Sequence, residues 1–234
     1  MKLKKCLILT VLLAGSVALS SISGSLFAYN FEFITVGDVV KKIQEKFASF
    51  DTYQANFNVV SDKMDKKKVQ TGIVSYKASN KLLINFTSPQ GQRIVADDKT
   101  MWIYMPSMNV VAQQDLKSDS GLFSMQSKMG LRRLFSKYHY RFEGKEQPAV
   151  QSDGLKQYVI FLKQKESRSG FRTMTLWVSE DYMIVRAEGE TSSGKKIKVS
   201  FSQIKTGIDL PNGMFKFDPP NQARIIKNPM IAEE

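Results

Sequence analysis

The strand that decides the fold reads TMWIYM and spans residues 100–105. Met101 and Ile103 alternate in it with Trp102 and Tyr104, so an extended chain presents apolar side chains to both faces. Such a strand needs apolar partners on both sides or a lined cavity. The stretch therefore predicts a β-rich protein whose sheet is covered by other apolar elements, and a plain hydrophobic core satisfies the pattern as well as a cavity does.

Period-two segments surround this strand in the sequence. Ala55, Phe57 and Val59 alternate with polar residues from Tyr53 onward. Further strands are predicted at 72–77, 81–87, 92–96, 109–113, 139–143, 157–164, 171–178, 183–190 and 195–203. Turn residues separate them at short intervals. The spacing is typical of an antiparallel meander and predicts one domain built on a curved sheet.

Two segments return to the helical period. The first is Val36 to Phe50, which Thr35 is placed to cap, and the second is the Met-rich stretch from Gly121 to Tyr138. We expect both helices to cover one face of the curved sheet. Methionine is flexible and polarizable, so the second helix suits a cover over adaptable contents.

The N-terminus has the pattern of a secretory signal peptide. Three lysines in the first five residues precede an apolar run from Cys6 to Ala18 and small residues that end at Ala28. The run is shorter than the roughly 20 apolar residues of a transmembrane helix. We predict that residues 1–28 are a cleaved leader, with an uncleaved anchor as the alternative, and that residues 29–234 form the exported domain.

Composition leaves little room for catalysis. Without the leader the net charge is +12 minus 3, or +9, and the only cysteine, Cys6, is removed with it. The remaining histidine, His139, is isolated, and no nucleophile elbow, phosphate loop, dinucleotide motif or metal motif occurs. We predict no enzyme, no cofactor and no metal. The basic surface suits solvation, anionic headgroups or acidic proteins, and export disfavours nucleic acid.

Three segments, in order, resemble the LolA family of periplasmic lipoprotein carriers. They are Ile43 to Phe57, where a helix leads into the first strand; Ile94 to Pro106, which contains the Trp102 strand; and Leu210 to Pro220, which carries the motif FKFDPP. The resemblance implies an unclosed antiparallel β-barrel with helices over its concave face. It also implies a monomeric periplasmic carrier that takes the acyl chains of lipoproteins from an inner-membrane ATP-driven transporter to an outer-membrane acceptor.

From this combined picture we predict the lining of a lipid-binding cavity. The predicted lining residues are Phe57, Ile84, Phe86, Trp102, Tyr104, Leu122, Phe123, Met125, Met129, Leu134 and Phe135. At one point the sequence departs from the family, which often has Lys-Arg-Pro where this chain has Lys77-Ala78-Ser79. In the family that arginine is linked to lid closure and cargo transfer, so either Lys77 or another base substitutes here or the gating differs. The same fold also implies an alternative function, a lipid-sensing regulator of the envelope stress response.

Overall fold

The chain is organised around one thirteen-stranded sheet. The structure is a computed structural model, and it describes residues 33–64, 66–78, 80–97, 99–116, 128–166 and 170–229. The strands are β1 Thr52–Lys63, β2 Lys66–Lys77, β3 Lys81–Ser88, β4 Arg93–Ala96, β5 Thr100–Met105, β6 Val110–Asp115, β7 Tyr138–Phe142, β8 Ala149–Val150, β9 Lys156–Gln164, β10 Phe171–Ser179, β11 Ile184–Thr191, β12 Lys196–Thr206 and β13 Arg224–Lys227.

The sheet is open, with β13 at one edge and β7 at the other. Its order is β13-β6-β5-β4-β3-β2-β1-β12-β11-β10-β9-β7, and the short β8 pairs with β9 beside β7. Every pairing is antiparallel except that of β13 with β6, which is parallel. Strands β1 to β6 lie side by side in chain order, and so do β9 to β12. The two groups join where β1 pairs with β12. The predicted unclosed antiparallel sheet is confirmed, with one parallel pair added at its edge.

Helix α1, Val36–Ala48, begins at the predicted cap. The Thr35 hydroxyl accepts a hydrogen bond from the Asp38 amide at 3.1 Å, and the Asp38 carboxylate accepts one from the Thr35 amide at 2.9 Å. This reciprocal pair satisfies two amides that the first helical turn leaves without partners. The Thr35 hydroxyl also donates to the Asp38 carboxylate, and this bond, together with the one from the Thr35 amide, holds the pKa of Asp38 below its usual value because both favour the charged form.

Helix α2 is described over Lys128–Ser136. Residues 121–127 of the predicted segment lie outside the described residues, and its predicted last residue, Tyr138, begins β7. Both helices contact each other and β7. Among the described residues, neither helix is long and apolar enough to cross a membrane.

One face of the sheet carries the main hydrophobic core, and we call it the inner face. Side chains at alternate positions of the strands lie here with the apolar faces of both helices. The buried members are Val39, Val40, Ile43, Phe47, Tyr53, Ala55, Phe57, Val74, Tyr76, Leu82, Ala96, Met101, Leu131, Phe135, Tyr138, Tyr158, Ile160, Leu162, Met174, Leu176, Val178 and Met183. Helices therefore cover the inner face, as the sequence predicts.

The opposite, outer face is covered locally by the C-terminal part of the chain. Leu210 precedes the 3₁₀ turn Asn212–Phe215, and Phe215 ends it. Both residues are buried and lie outside the inner core. Phe217 lies against Trp102 and Tyr104 of β5, with ring centroids 6.4 and 6.0 Å apart. Strand β5 thus has apolar partners on both sides, which is the condition that its sequence set.

Several element boundaries differ from the sequence prediction. Strand β2 is twice as long as predicted, because the residues from Lys66 to Thr71, all polar except Val69, pair with β1 although they carry no apolar alternation. The sequence does not predict strands β8 and β13. They have two and four residues, too few for a period to register, and β13 exists only through its pairing with β6.

Candidate functional site

The inner face contains a group of aromatic and aliphatic side chains that are only partly covered. Phe57 and Phe86 meet edge to face, with ring centroids 5.3 Å apart. Phe57 is buried and Phe86 is half-buried. Ile84, Ile94 and Ile103 are half-buried as well and pack against the same core. We call these five residues the inner apolar patch.

A glycine makes room for the patch. Gly72 of β2 pairs directly with Phe57 of β1. A Cβ atom at Gly72 would lie 2.8 Å from Cζ of Phe57 and 2.2 Å from the carbonyl oxygen of Asn85. Only a residue without a side chain leaves room for the Phe57 ring to approach the neighbouring strand this closely.

Aromatic rings join the end of α1 to the start of β1. Phe47, Phe50 and Tyr53 form a chain in which the neighbouring centroids are 5.6 and 6.0 Å apart. Burial raises the pKa of Tyr53, because the phenolate form is disfavoured away from water. The helix is therefore fixed to the inner face at its C-terminal end.

Two polar contacts hold the same helix to the turn between β10 and β11. Lys42 Nζ donates to the Tyr182 hydroxyl at 3.1 Å, and Lys46 Nζ lies 3.4 Å from the Asp181 carboxylate. Burial opposes ionisation of Asp181, but the Ser179 hydroxyl and the Lys46 ammonium outweigh it and lower its pKa. Burial and a hydrogen bond with Tyr182 raise the pKa of Tyr158 to about 12. The contacts of Lys42 and Lys46 therefore attach α1 to this turn, whereas Tyr158 belongs to the buried core.

Helix α2 contributes to the core through its last two turns. Leu131 and Phe135 are buried, and Leu134 is half-buried against the core. Phe135 meets Tyr140 of β7 edge to face at 5.9 Å. The helix is thus fixed beside β7, at one edge of the sheet.

The structure brings together five of the predicted lining residues on the inner face: Phe57, Ile84, Phe86, Leu134 and Phe135. Leu122, Phe123 and Met125 lie outside the described residues. Met129 belongs to α2, but its side chain is also outside the described part.

Trp102 and Tyr104 lie on a different face from these five residues. The sequence places both in the predicted lining, but both lie on the outer face of β5 against Phe217. Their cross-strand partners, Val95 and Val111, also lie outside the inner core. The alternation of a strand places Met101 and Ile103 on the inner face instead.

Sequence reasoning also missed some residues of the inner face. Ile94 and Ile103 belong to the patch, and Val59 and Phe201 pack on the same core. The alternation of side chains along a strand could have identified some of them. Val59 lies two residues after Phe57 in β1, and Ile103 two residues after Met101 in β5, so each shares a face with the earlier residue.

Lys77 lies on the other side of the sheet. Its Nζ donates to the carbonyl oxygen of Leu210 at 2.7 Å, and the next amide, that of Ala78, donates to the Asp51 carbonyl oxygen. Tyr76, beside it in β2, belongs to the inner core. The Lys77 ammonium therefore fastens the C-terminal segment to β2.

The inner face offers apolar surface and no reactive groups among the described residues. His139 is exposed on β7. Across the described ranges, no three His, Cys, Asp or Glu side chains converge as a metal site requires. A groove of about 500 Å³ lies on the outer side, lined by Tyr104, Pro106 and Phe217 among others. What the inner face is suited to do chemically is to shelter hydrocarbon from water.

Comparisons with known proteins point in the same direction. A family model described as outer membrane lipoprotein carrier protein LolA matches residues 48–218. An outer-membrane lipoprotein carrier protein of Legionella pneumophila (strain Lens) is 25% identical over 186 residues, which cover 79% of this chain and 88% of that protein.

Two further relatives have no assigned role. An uncharacterized protein of Methanocaldococcus jannaschii is 23% identical over 216 residues, which cover 91% of this chain and only 60% of that longer protein. The crystal structure of an uncharacterized conserved protein from Thermus thermophilus superposes with a TM-score of 0.55 at 14% identity, over 82% of this chain and 98% of that one. This last likeness concerns the fold alone.

Proposed function

This chain belongs to the LolA family of outer-membrane lipoprotein carrier proteins, and from that membership we propose that it carries lipoproteins through the periplasm with their acyl chains held against its inner face. It would receive them from an ATP-driven transporter of the inner membrane and deliver them to an acceptor at the outer membrane. We propose the same compartment and route that the family resemblance implies, with residues 1–28 as the export signal.

The inner apolar patch is the observation that supports this proposal. Its five side chains continue the core that α1 and α2 cover, yet four of them are only half-buried. Hydrocarbon placed here extends an existing apolar surface. Burying one CH₂ group contributes about 0.8 kcal/mol, so even one acyl chain supplies ample gross affinity.

The proposed cycle needs no chemistry from the chain itself. Tight binding makes release the difficult step, and direction comes from partners of different affinity. Each difference of about 1.4 kcal/mol between donor and acceptor changes partitioning tenfold. The protein acts in this scheme as a carrier, with no catalytic residue.

Depletion of the protein in its native cells tests the proposal. We expect lipoproteins to accumulate at the inner membrane, as membrane fractionation would show, and co-purified material from the envelope to contain acylated proteins. Normal lipoprotein sorting combined with a changed envelope stress response would overturn the carrier function and favour the regulator. A variant with His139→Gln should restore sorting as well as the wild type does, because this side chain is exposed and isolated.

A further inference from the structure

The long hairpin of β1 and β2 extends beyond the neighbouring strand β3. Strand β2 pairs with β3 only from Thr71 onward, so residues 66–70 have no partner on that side. At about 3.3 Å per residue, the overhang is roughly 16 Å long. On the other side β1 pairs with β12 as far as Asp62 and Lys196, which places the turn between β11 and β12 beside the hairpin.

Lysines dominate this end of the molecule. The hairpin and the adjoining turn carry six of them, of which Lys195 is half-buried and the others are exposed: Lys63, Lys66, Lys67, Lys68 and Lys196. In the same stretches the sequence has three acids, Asp62, Asp65 and Glu190, so positive charge is in excess. Within the described ranges, none of the six ammonium groups forms an ion pair.

Apolar side chains stand among these lysines. Met64, at the tip, is 86% exposed, and Val69 is 55% exposed. An exposed apolar side chain flanked by lysines matches the boundary of a lipid bilayer, where headgroups are anionic and acyl chains begin just below. An acidic protein surface would satisfy the lysines but would leave Met64 without a partner.

The hairpin is also continuous with the inner face. Lys63 has the same parity in β1 as Phe57 and Val59, and it pairs with Lys66. Lys68 pairs with Ser61 on the same face. The charged rim therefore follows directly from the apolar surface along one side of the two strands.

We propose that the β1–β2 hairpin, together with the β11–β12 turn, docks this protein on the anionic surface of a lipid bilayer. Lysines contact the headgroup phosphates, and Met64 enters the headgroup layer. The proposal depends on this lysine-rich end alone, so it holds whether or not the inner face binds acyl chains.

Vesicle sedimentation tests the proposal with the full exported chain. The vesicles are pure phosphatidylcholine, or phosphatidylcholine with about 30% phosphatidylglycerol. We expect the wild type to sediment only with the anionic vesicles, and less as salt rises. The variant with Lys63→Gln, Lys66→Gln, Lys67→Gln and Lys68→Gln should bind these vesicles at least about tenfold more weakly, and Met64→Asp should also weaken binding.

A charge-matched variant serves as the control. Its four substitutions are Lys145→Gln, Lys156→Gln, Lys205→Gln and Lys227→Gln, all at exposed positions away from the hairpin. This control should keep its affinity within about twofold. Equal losses in the two quadruple variants, or unchanged binding of the hairpin variant and of Met64→Asp, would overturn the proposal. Fluorescent fatty-acid binding by the same variants, expected to be unchanged, separates this result from any failure of the carrier function.

Discussion

The ring of Phe57 lies directly over Gly72, its partner across β1 and β2, at a distance that leaves no room for a side chain. Phe57 belongs to the inner apolar patch, and Gly72 lies next to it in β2. Two groups occupy the space that any Cβ at position 72 would need: the Phe57 ring and, closer still, the Asn85 carbonyl oxygen.

Gly72→Ala should destabilise the protein by about 1–3 kcal/mol, because the new methyl group overlaps both the ring and the Asn85 carbonyl oxygen. Urea unfolding followed by circular dichroism measures the change. Gly213→Ala is the matched control, since nothing lies within 4 Å of its added Cβ, and it should stay within about 0.5 kcal/mol of the wild type. Similar losses at both positions would argue against a special role for the Phe57 contact.

Acyl binding should distinguish the two faces of β5. Ile103→Asn places an amide in the inner apolar patch, so affinity for a fluorescent fatty acid should fall about tenfold. Tyr104→Asn changes the neighbouring, equally half-buried residue on the outer face and should alter affinity by less than about twofold. Fluorescence titration of the two variants gives the comparison, and the reverse order of effects would place the acyl site on the outer face.

Lys77→Met should loosen the C-terminal segment. The substitution keeps most of the side-chain length but removes the charged donor to the Leu210 carbonyl oxygen, which should cost about 1–2 kcal/mol. Hydrogen exchange of residues 208–217 should become faster. Lys205→Met, at an exposed position, should leave this exchange unchanged, and protection that survives in Lys77→Met would mean that the hydrogen bond contributes nothing.

Acid should weaken the attachment of α1 at Asp181. Its pKa is lowered in the folded protein, so its ionised form stabilises the fold above the ordinary value of 3.8, and this contribution is lost as the pH falls through the lowered pKa. With 63% of the side chain exposed, the effect should stay below about 1 kcal/mol. Asp181→Asn should therefore be less stable than the wild type at pH 7 and equal to it well below that pKa.

Urea unfolding at several pH values measures this difference. Glu180→Gln, at the neighbouring exposed residue, is the control and should follow the wild type throughout. A difference between Asp181→Asn and the wild type that persists unchanged in acid would show that ionisation of Asp181 has no part in it.

The features that could be predicted from the sequence are those that depend on local residues. The Thr35 cap of α1 and the bounds of β5 depend on neighbouring residues, and both match the structure. The faces of β5 were a different matter. Its pattern requires apolar cover on both sides but does not say which face meets the helices. The outer face is covered by Phe217, more than a hundred residues later in the chain.

The same limit applies to long-range pairings. Strand β13 has four exposed residues, and only its parallel pairing with β6 makes it a strand. The bond from Lys77 to Leu210 joins residues 133 positions apart, so a comparison of positions 77–79 with the family motif had no means of revealing it. Resemblance did succeed for the fold, because three separated segments had to agree in order.

The C-terminal segment acts as a brace on the outside of the sheet. Phe217 on β5 and Leu210 on Lys77 hold strands β2 to β5 from behind, while the core holds them from the front. Strands that are packed on both faces have little freedom to bend. If the inner face must open to admit an acyl chain, we expect α1 and α2 to move instead of these strands, and the polar contacts of α1 at Lys42 and Lys46 to break first.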